Sequence, residues 1–425
     1  MESRRFSRKC PPDDPPGGEG PPRGRTVKIL VVTPDFPLWD GGIATVALEV
    51  SNGLQRLGHE IVVLAPSQDP GDREYDGTLP YETVRLRNVK ARHVKTLYHA
   101  WVTTRLERCR KFDVVMAQSW FPSGIAACCA SRLCGVPYTV TVHGNEILNN
   151  RFRTPYWMGW MHRVFHAASA VLCVSSATSE KILSVLGGGE KLERKIRVVR
   201  NGVDPDRFIA GAVPSIRGRY GLEGKKVILT LARLVERKGQ DKMIEALPAI
   251  KREIPDVRYV ICGKGSDEAR LRRIAAEQGV SDEVVFAGFV TNEVRGAFYD
   301  ACAIYAMPSR EIPEKGDVEG FGITYLEANA FGKPVIGGRS GGVAEAVIDG
   351  VTGILVDPLD VNAIASACIR LLKDPGLAER LGRQGRDRAR QEFNWDVICR
   401  ELAVILDGIL KGRDVRDDSS GIQGR

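Results

Sequence analysis

From Val27 onward the chain alternates short β-branched runs with helix-like stretches, and after one interruption the alternation starts again. Val27 to Thr33 (VKILVVT) has no polar alternation, so both faces of that strand must be covered. Glu60 to Ala65, Asp113 to Ala117, Tyr138 to Val142 and Ala170 to Val174 read as further strands. Helical stretches fall between them, at Ile43 to Leu57, Ser123 to Leu133 and Ser176 to Leu186. Strand and helix in turn predict a parallel sheet with helices on both sides. The pattern breaks near Asn201 in NGVDPDRF, where Asn-Gly and Asp-Pro mark turns. It resumes with Val227 to Leu231, Val257 to Cys262, Val284 to Phe286, Ala303 to Met307 and Pro334 to Ile336. Polar helices from Val361 and Pro375 and an amphipathic one at Trp395 to Leu410 complete the series.

The expected fold class is therefore α/β, with two Rossmann-like doubly wound domains facing each other across a cleft. Residues 1–25 are expected to be a disordered leader and 26–204 the first domain. Residues 205–392 form the second, 393–412 a helix packing back towards the first, and 413–425 a disordered tail. A chain of 425 residues supplies two cores more readily than one. No short-period repeat is present. Ligands in such folds bind at the carboxyl ends of the strands that line the cleft.

Composition excludes several classes. No apolar run is long enough to cross a bilayer, and the Pro-, Gly- and Arg-rich N-terminus lacks the apolar segment of a secretory signal. The 10 cysteines show no CxxC pair and no zinc spacing, which fits a reducing, cytoplasmic setting and gives no metal site. The net charge of +8 is concentrated. Between Val84 and Lys111 stand Arg85, Arg87, Lys90, Arg92, Lys95, Arg105, Arg108, Arg110 and Lys111, against Glu107 alone. That implies an anionic partner, or else a solvated helix face. No nucleic-acid-binding module accompanies it, so nucleic acid is not expected.

The richest stretch is GDVEGFGITYLEANAFGKPVIG. Gly320 and Gly322 let backbone approach a ligand closely and place Glu319 in the loop before a helix. Glu327 falls on that helix, whose first amides suit a phosphate or sugar oxygen. Two carboxylates at this spacing can accept hydroxyls at two places on an elongated ligand. On these residues the chain resembles the retaining glycosyltransferases of family 4, which have the GT-B fold, over roughly Val27 to Leu410. The resemblance implies that Glu319 contacts the donor sugar's hydroxyls and Glu327 the ribose. It also implies that backbone amides near Phe321 and Gly322 join the sugar and phosphate contacts. The extended loop SREIPEKGDVEGFG is similar to that of mannosyltransferases that build phosphatidylinositol mannosides from GDP-mannose.

In LARLVERKGQD, Arg233 and Lys238 follow a strand and precede a helix, and the family places its diphosphate clamp there. Such a clamp contributes roughly 2–4 kcal/mol per donor to a charged transition state and can replace a divalent cation. No cofactor is expected, the nucleotide sugar being a substrate. Gly41 and Gly42 open a helix after the first strand and could bring amides to the diphosphate from the other domain. Asp35 or Asp40 nearby could contact the acceptor. His143 ends the strand of YTVTVHGNEI, where the resemblance implies a histidine beside the transferred sugar; Asn145 and Glu146 are acceptor-side candidates. Phe289 in VFAGFV matches the family's base-binding strand, and Gly263 and Gly265 follow a strand near the nucleotide. Gly341 and Gly342 form a turn that either faces the cleft or is only a turn.

The reading that results is a retaining hexosyltransferase moving sugar from GDP-mannose or a UDP-sugar to a hydroxyl of a glycolipid or polysaccharide precursor. A dehydrogenase is disfavoured because CGKGSDEA lacks the third glycine of a dinucleotide fingerprint. A GT-B epimerase and a catalytically silent carbohydrate-binding protein remain as alternatives. Aromatic residues among cations, in the basic segment and in NRFRTPYWMGWMHRVFH, further suggest contact with an anionic membrane on its cytoplasmic face.

Overall fold

The computed structural model describes residues 25–39, 41–67, 69–89, 91–204 and 215–412. Asp40 and Lys90, the leader before residue 25, the first ten residues of the second domain and the tail from 413 lie outside them.

Seven parallel strands form the first sheet. They are β1 Lys28–Val32, β2 Glu60–Pro66, β3 Glu82–Leu86, β4 Val114–Ala117, β5 Tyr138–Val142, β6 Ala170–Cys173 and β7 Ile196–Val198, in the order β3-β2-β1-β4-β5-β6-β7. The second sheet holds β8 Lys226–Leu231, β9 Val257–Cys262, β10 Val284–Gly288, β11 Ile304–Met307, β12 Val335–Gly338 and β13 Gly353–Val356, in the order β10-β9-β8-β11-β12-β13. Each sheet reverses its winding once, between β1 and β4 and between β8 and β11, and a crevice opens at each reversal. Helices of eight or more residues cover both sheets. In chain order they are α1 Gly42–Arg56, α2 Arg92–Arg110, α3 Ile125–Cys134, α4 Pro155–Ala167, α5 Ser176–Leu186 and α6 Gln240–Glu253. The series continues with α7 Glu268–Glu277, α8 Asn292–Ala301, α9 Ile323–Ala330, α10 Val361–Lys373, α11 Pro375–Glu392 and α12 Trp395–Leu410.

The central strands are the long apolar runs that the sequence makes obvious, and β1 is buried along nearly its whole length. The strands the pattern does not announce are β3, β7 and β13, and all three are sheet edges. An edge strand needs only one apolar face. β3 (ETVRL) is mostly half-exposed, and β7 is three half-exposed residues.

The chain crosses between domains twice at one place. Val203 donates its N–H to the Phe393 carbonyl at 2.7 Å and bridges Asn394, so the outgoing and returning segments lie side by side. Gly202 is needed there, since a Cβ would come within 2.6 Å of the Trp395 ring. Beyond this crossing Asn394 caps α12 by accepting the Asp396 N–H, and the helix packs on α1. Trp395, Ile398, Leu402 and Leu406 join Val46, Val50 and Leu54 in one buried cluster. Cys399 lies directly over Gly53, where a Cβ would sit 2.3 Å from its Sγ.

A second contact between the domains is made by the loop from Glu311 to Gly320, which rests on the first domain. Val318 N–H donates to Asn145 Oδ1 at 2.9 Å, Asn150 Nδ2 to the Glu314 carbonyl at 2.9 Å, and Ser175 Oγ to the Gly320 carbonyl at 2.8 Å. Lys181 pairs with Glu311, and Glu345 accepts the Ser176 N–H. Leu402 is 2% exposed. Its truncation to alanine is expected to cost about 2–5 kcal/mol and to lower the melting temperature measurably; an unchanged melt would show that α12 is not docked as described.

Candidate active site

A cavity of about 450 Å³ lies where the two crevices face each other. Its charged wall comes from the turn after β8. Gly239 has φ 75°, and a Cβ there would strike the Pro308 carbonyl, so the chain folds tightly and drives Arg237 and Lys238 inward. Both are buried, which cations seldom are unless a carboxylate answers them. Lys238 Nζ reaches Glu319 Oε2 at 2.5 Å. Arg237 Nε is 3.4 Å from Asp317 and 3.9 Å from Glu319, yet makes no hydrogen bond. Arg233 is more exposed and lines the same cavity. Burial alone would push the Glu319 carboxyl up, but Lys238, Arg237 and Arg233 outweigh it and hold it below the usual carboxylate range. The pocket thus keeps one carboxylate ionised beneath an excess of cations.

Glu327, on α9, stands further along the cavity. Its two oxygens accept from Arg295 Nη1 at 3.0 Å and from Tyr299 OH at 2.6 Å. Gly322 caps α9 with φ 90° and could not carry a Cβ, which would meet the Tyr325 ring at 2.5 Å. Phe289 stands half-exposed at the mouth with Lys264 Nζ 5.8 Å from its ring centre. Across the cleft, Gly41 and Gly42 line the cavity at the start of α1. A Cβ on either would enter open space, so nothing inside the protein demands glycine there. His143 sits above Gly320, whose missing Cβ lets the backbones meet. Its Nε2 is 2.9 Å from the Gln118 carbonyl, which can only accept, so the proton is on Nε2 and Nδ1 keeps a lone pair. Burial pushes the imidazole down, only partly offset by Glu146, and it stays neutral near pH 7.

Gly263, Gly320, Gly322, Phe321 and Glu327 line the cavity with His143, Arg233, Lys238 and Glu319. The Phe321 ring itself is buried 5.8 Å from Phe393, so that residue offers the site its backbone. Gly265 departs from expectation: it is not in the cavity wall, and its missing Cβ makes room for the Leu234 carbonyl. Gly341 and Gly342 likewise seat the turn under the Glu319 and Gly320 carbonyls. Asn145 and Glu146 line the cavity, but their side chains hold Val318 and the His143 N–H. Four further residues of the site, Arg237, Lys264, Arg295 and Tyr299, carry no signal in the sequence that marks them out. Arg237 directly precedes Lys238, and Arg295 and Tyr299 share a helix face at i, i+4; neither spacing reveals carboxylates that lie about eighty residues away for Arg237 and about thirty for the other two. Among the described residues no cluster of His, Cys, Asp or Glu could hold a metal ion.

Cations gathered at one end of a cleft and hydroxyl-accepting carboxylates along it suit transfer of a sugar from a nucleoside diphosphate, and the paired sheets make this a GT-B glycosyltransferase. The chain belongs to glycosyltransferase family 4: residues 40–207 match the Glycosyltransferase Family 4 model and 213–388 that of the glycosyl transferases group 1. It is 36% identical over 392 residues to a GDP-mannose-dependent alpha-(1-6)-phosphatidylinositol monomannoside mannosyltransferase of Mycolicibacterium smegmatis, covering 91% of this chain and 100% of the relative. It is 32% identical to the Corynebacterium glutamicum enzyme that acts on the monoacylated acceptor, covering 89% and 97%. A glycosyltransferase from Rickettsia africae superposes with TM-score 0.74 at 21% identity, over 90% of this chain and 99% of that one. Anabaena HepE in complex with UDP superposes with TM-score 0.73 at 21% identity, over 90% and 100%.

As cations of a diphosphate clamp, Arg233 and Lys238 would act on a leaving group that gains charge in the transition state, so Arg233→Ala and Lys238→Ala are each expected to lower turnover at saturating donor at least about tenfold, with folding checked by circular dichroism. Wild-type turnover in both would remove them from the chemistry.

Proposed function

We propose that this protein is a retaining mannosyltransferase that moves mannose from GDP-mannose to a hydroxyl of a glycolipid presented at an anionic membrane surface. The observation that carries the reading is the buried Lys238–Glu319 pair with Arg237 and Arg233 around it, facing the glycines of α1 across the cavity. The names of the relatives at 32–36% identity supply the sugar and the acceptor class.

In the transfer, the bond from the sugar C1 to the diphosphate oxygen breaks and a bond from the acceptor oxygen to C1 forms on the same face. The acceptor's proton leaves with the diphosphate or to water. Arg233 and Lys238 stabilise the departing diphosphate, and the amides at the starts of α1 and α9 share that charge. Glu319 accepts hydroxyls of the sugar while Lys238 fixes its carboxylate. His143, neutral with Nδ1 unprotonated, accepts a further sugar hydroxyl. None of these roles calls for a metal ion, since the cations already supply the positive charge.

The membrane reading now rests on a narrower set of residues than composition suggested. Arg85 is buried between Asp72 and Asp76, and Arg110 pairs with Glu82. Phe152, Trp157 and Phe165 belong to the core of the first domain. What faces outward on α2, α3 and α4 is Leu97, Trp101, Leu133 and Tyr156, with Arg105 against Trp101 and Arg163 against Trp160. Apolar tips among arginines suit the headgroup boundary, where each basic residue contributes about 1 kcal/mol on anionic lipid.

Incubation with radiolabelled GDP-mannose and a phosphatidylinositol-mannoside acceptor tests the donor and acceptor together; transfer only from UDP-sugars, or only to soluble glycans, would replace the assignment. Turnover should persist in excess EDTA, and a loss reversed by magnesium or manganese would contradict the metal-free reading. Sedimentation should show binding to vesicles containing phosphatidylglycerol but not to pure phosphatidylcholine, weakened by salt. Arg105→Gln with Arg163→Gln should reduce it severalfold; equal binding by that variant would place the contact elsewhere.

A further inference from the structure

Glu327 is held more elaborately than a lone hydroxyl-binding carboxylate needs. The side chains of Arg295 and Glu327 are only 12% and 4% exposed, and Tyr299 is fully buried. Both donors come from one face of α8, a helix that starts just after the Phe289 loop. Burial and the neighbouring Glu327 charge push the Tyr299 phenol well above its ordinary range, so its proton stays and is donated. Each carboxylate oxygen has two acceptor directions. Tyr299 fills one on Oε2 and Arg295 fills one on Oε1, and each oxygen keeps one more. Arg295 and Glu327 line the cavity, so the remaining directions are available to a ligand there. Two adjacent acceptor positions at fixed spacing match two adjacent hydroxyls.

We infer that Arg295 and Tyr299 are positioning residues that make the donor site selective for a ribose over a deoxyribose, by fixing Glu327 as a bidentate acceptor for the 2′- and 3′-hydroxyls. The inference deepens the donor reading and rests on it. A carboxylate free to rotate would still accept one hydroxyl and would lose little when the second is missing. A fixed one loses a full interaction and keeps an unfilled acceptor, and sites built this way reject analogues lacking a hydroxyl strongly.

A purely structural Arg–Glu tie between α8 and α9 would weaken every ligand alike when broken, whereas a positioning role touches only ligands that carry the hydroxyl. Titration calorimetry with GDP, 2′-deoxy-GDP, UDP and 2′-deoxy-UDP separates the two. The wild type is expected to bind its preferred ribonucleotide at least about tenfold more tightly than the deoxy form, which is about 1.4 kcal/mol. Tyr299→Phe, nearly isosteric, and Arg295→Met should shrink that ratio below about threefold by weakening the ribonucleotide alone. Arg295→Lys keeps the charge but not the planar fork and should fall between. In each variant KM for donor should rise while kcat at saturation stays within about threefold. Ratios at the wild-type value in both Tyr299→Phe and Arg295→Met, or a parallel loss of ribo and deoxy forms, would overturn the inference. So would a wild type that binds GDP or UDP with no ribose preference, and that result would leave the donor reading standing. Binding of neither diphosphate would overturn both.

Discussion

Burying a lysine and a glutamate at the bottom of a cleft is costly unless each answers the other, and much of the second domain is arranged to keep Lys238 and Glu319 in register. The tight turn at Gly239 sends Lys238 inward, and the glycines around Glu319 bring its loop against β5 of the first domain. Asp241, one turn further on, binds Arg310 through two hydrogen bonds of 2.8 and 2.7 Å, tying the start of α6 to the strand end that leads into the Glu319 loop. The surplus of positive charge left by Arg237 and Arg233 is then directed at whatever anion enters. Removing Glu319 would leave Lys238, Arg237 and Arg233 facing one another with less to offset their charge.

The alternation of strands and helices was legible because central parallel strands must be apolar on both faces, and such runs as VKILVVT and VRYVIC cannot be hidden. The edges were not, for β3 mixes charged residues into a half-exposed strand and β7 is only three half-exposed residues long. Within the site, glycine and charge spacing located the Glu319 loop and the turn after β8. At Gly265 a glycine beside a strand makes room for the Leu234 carbonyl, a need for which the protein's own packing is cause enough. A missing side chain signals a close neighbour, and sequence alone does not say whether that neighbour is the protein or a guest. Arg295 and Tyr299 were invisible for another reason. Their meaning lies in a carboxylate on a different helix, and only the packing of α8 against α9 creates it.

Aromatic residues among arginines in the first domain divide in the same way. Trp157 meets Phe152 and Phe121 edge to face in the core, and Arg92 lies over the Phe152 and Trp157 rings from outside. Trp101 and Tyr156 remain outward. Composition showed one amphipathic cluster, whereas the folded chain sorts it into an inner layer that builds the domain and an outer one that is available to a partner.

The paired crossing at Val203 and Phe393 has a mechanical consequence. Two segments hydrogen-bonded side by side cannot swivel independently, so they behave as a single axle and remove most of the freedom that one flexible linker would allow. With α12 clamped to α1 beyond the axle, any opening of the cleft must be close to a rotation about that line. The Gly320 end of the Glu319 loop lies close to that line, since the Phe321 ring packs beside Phe393 and Ser175 Oγ donates to the Gly320 carbonyl. Glu319 and His143 would therefore keep nearly the same separation as the cleft opens, while parts of the two walls further from the axle would sweep through larger arcs.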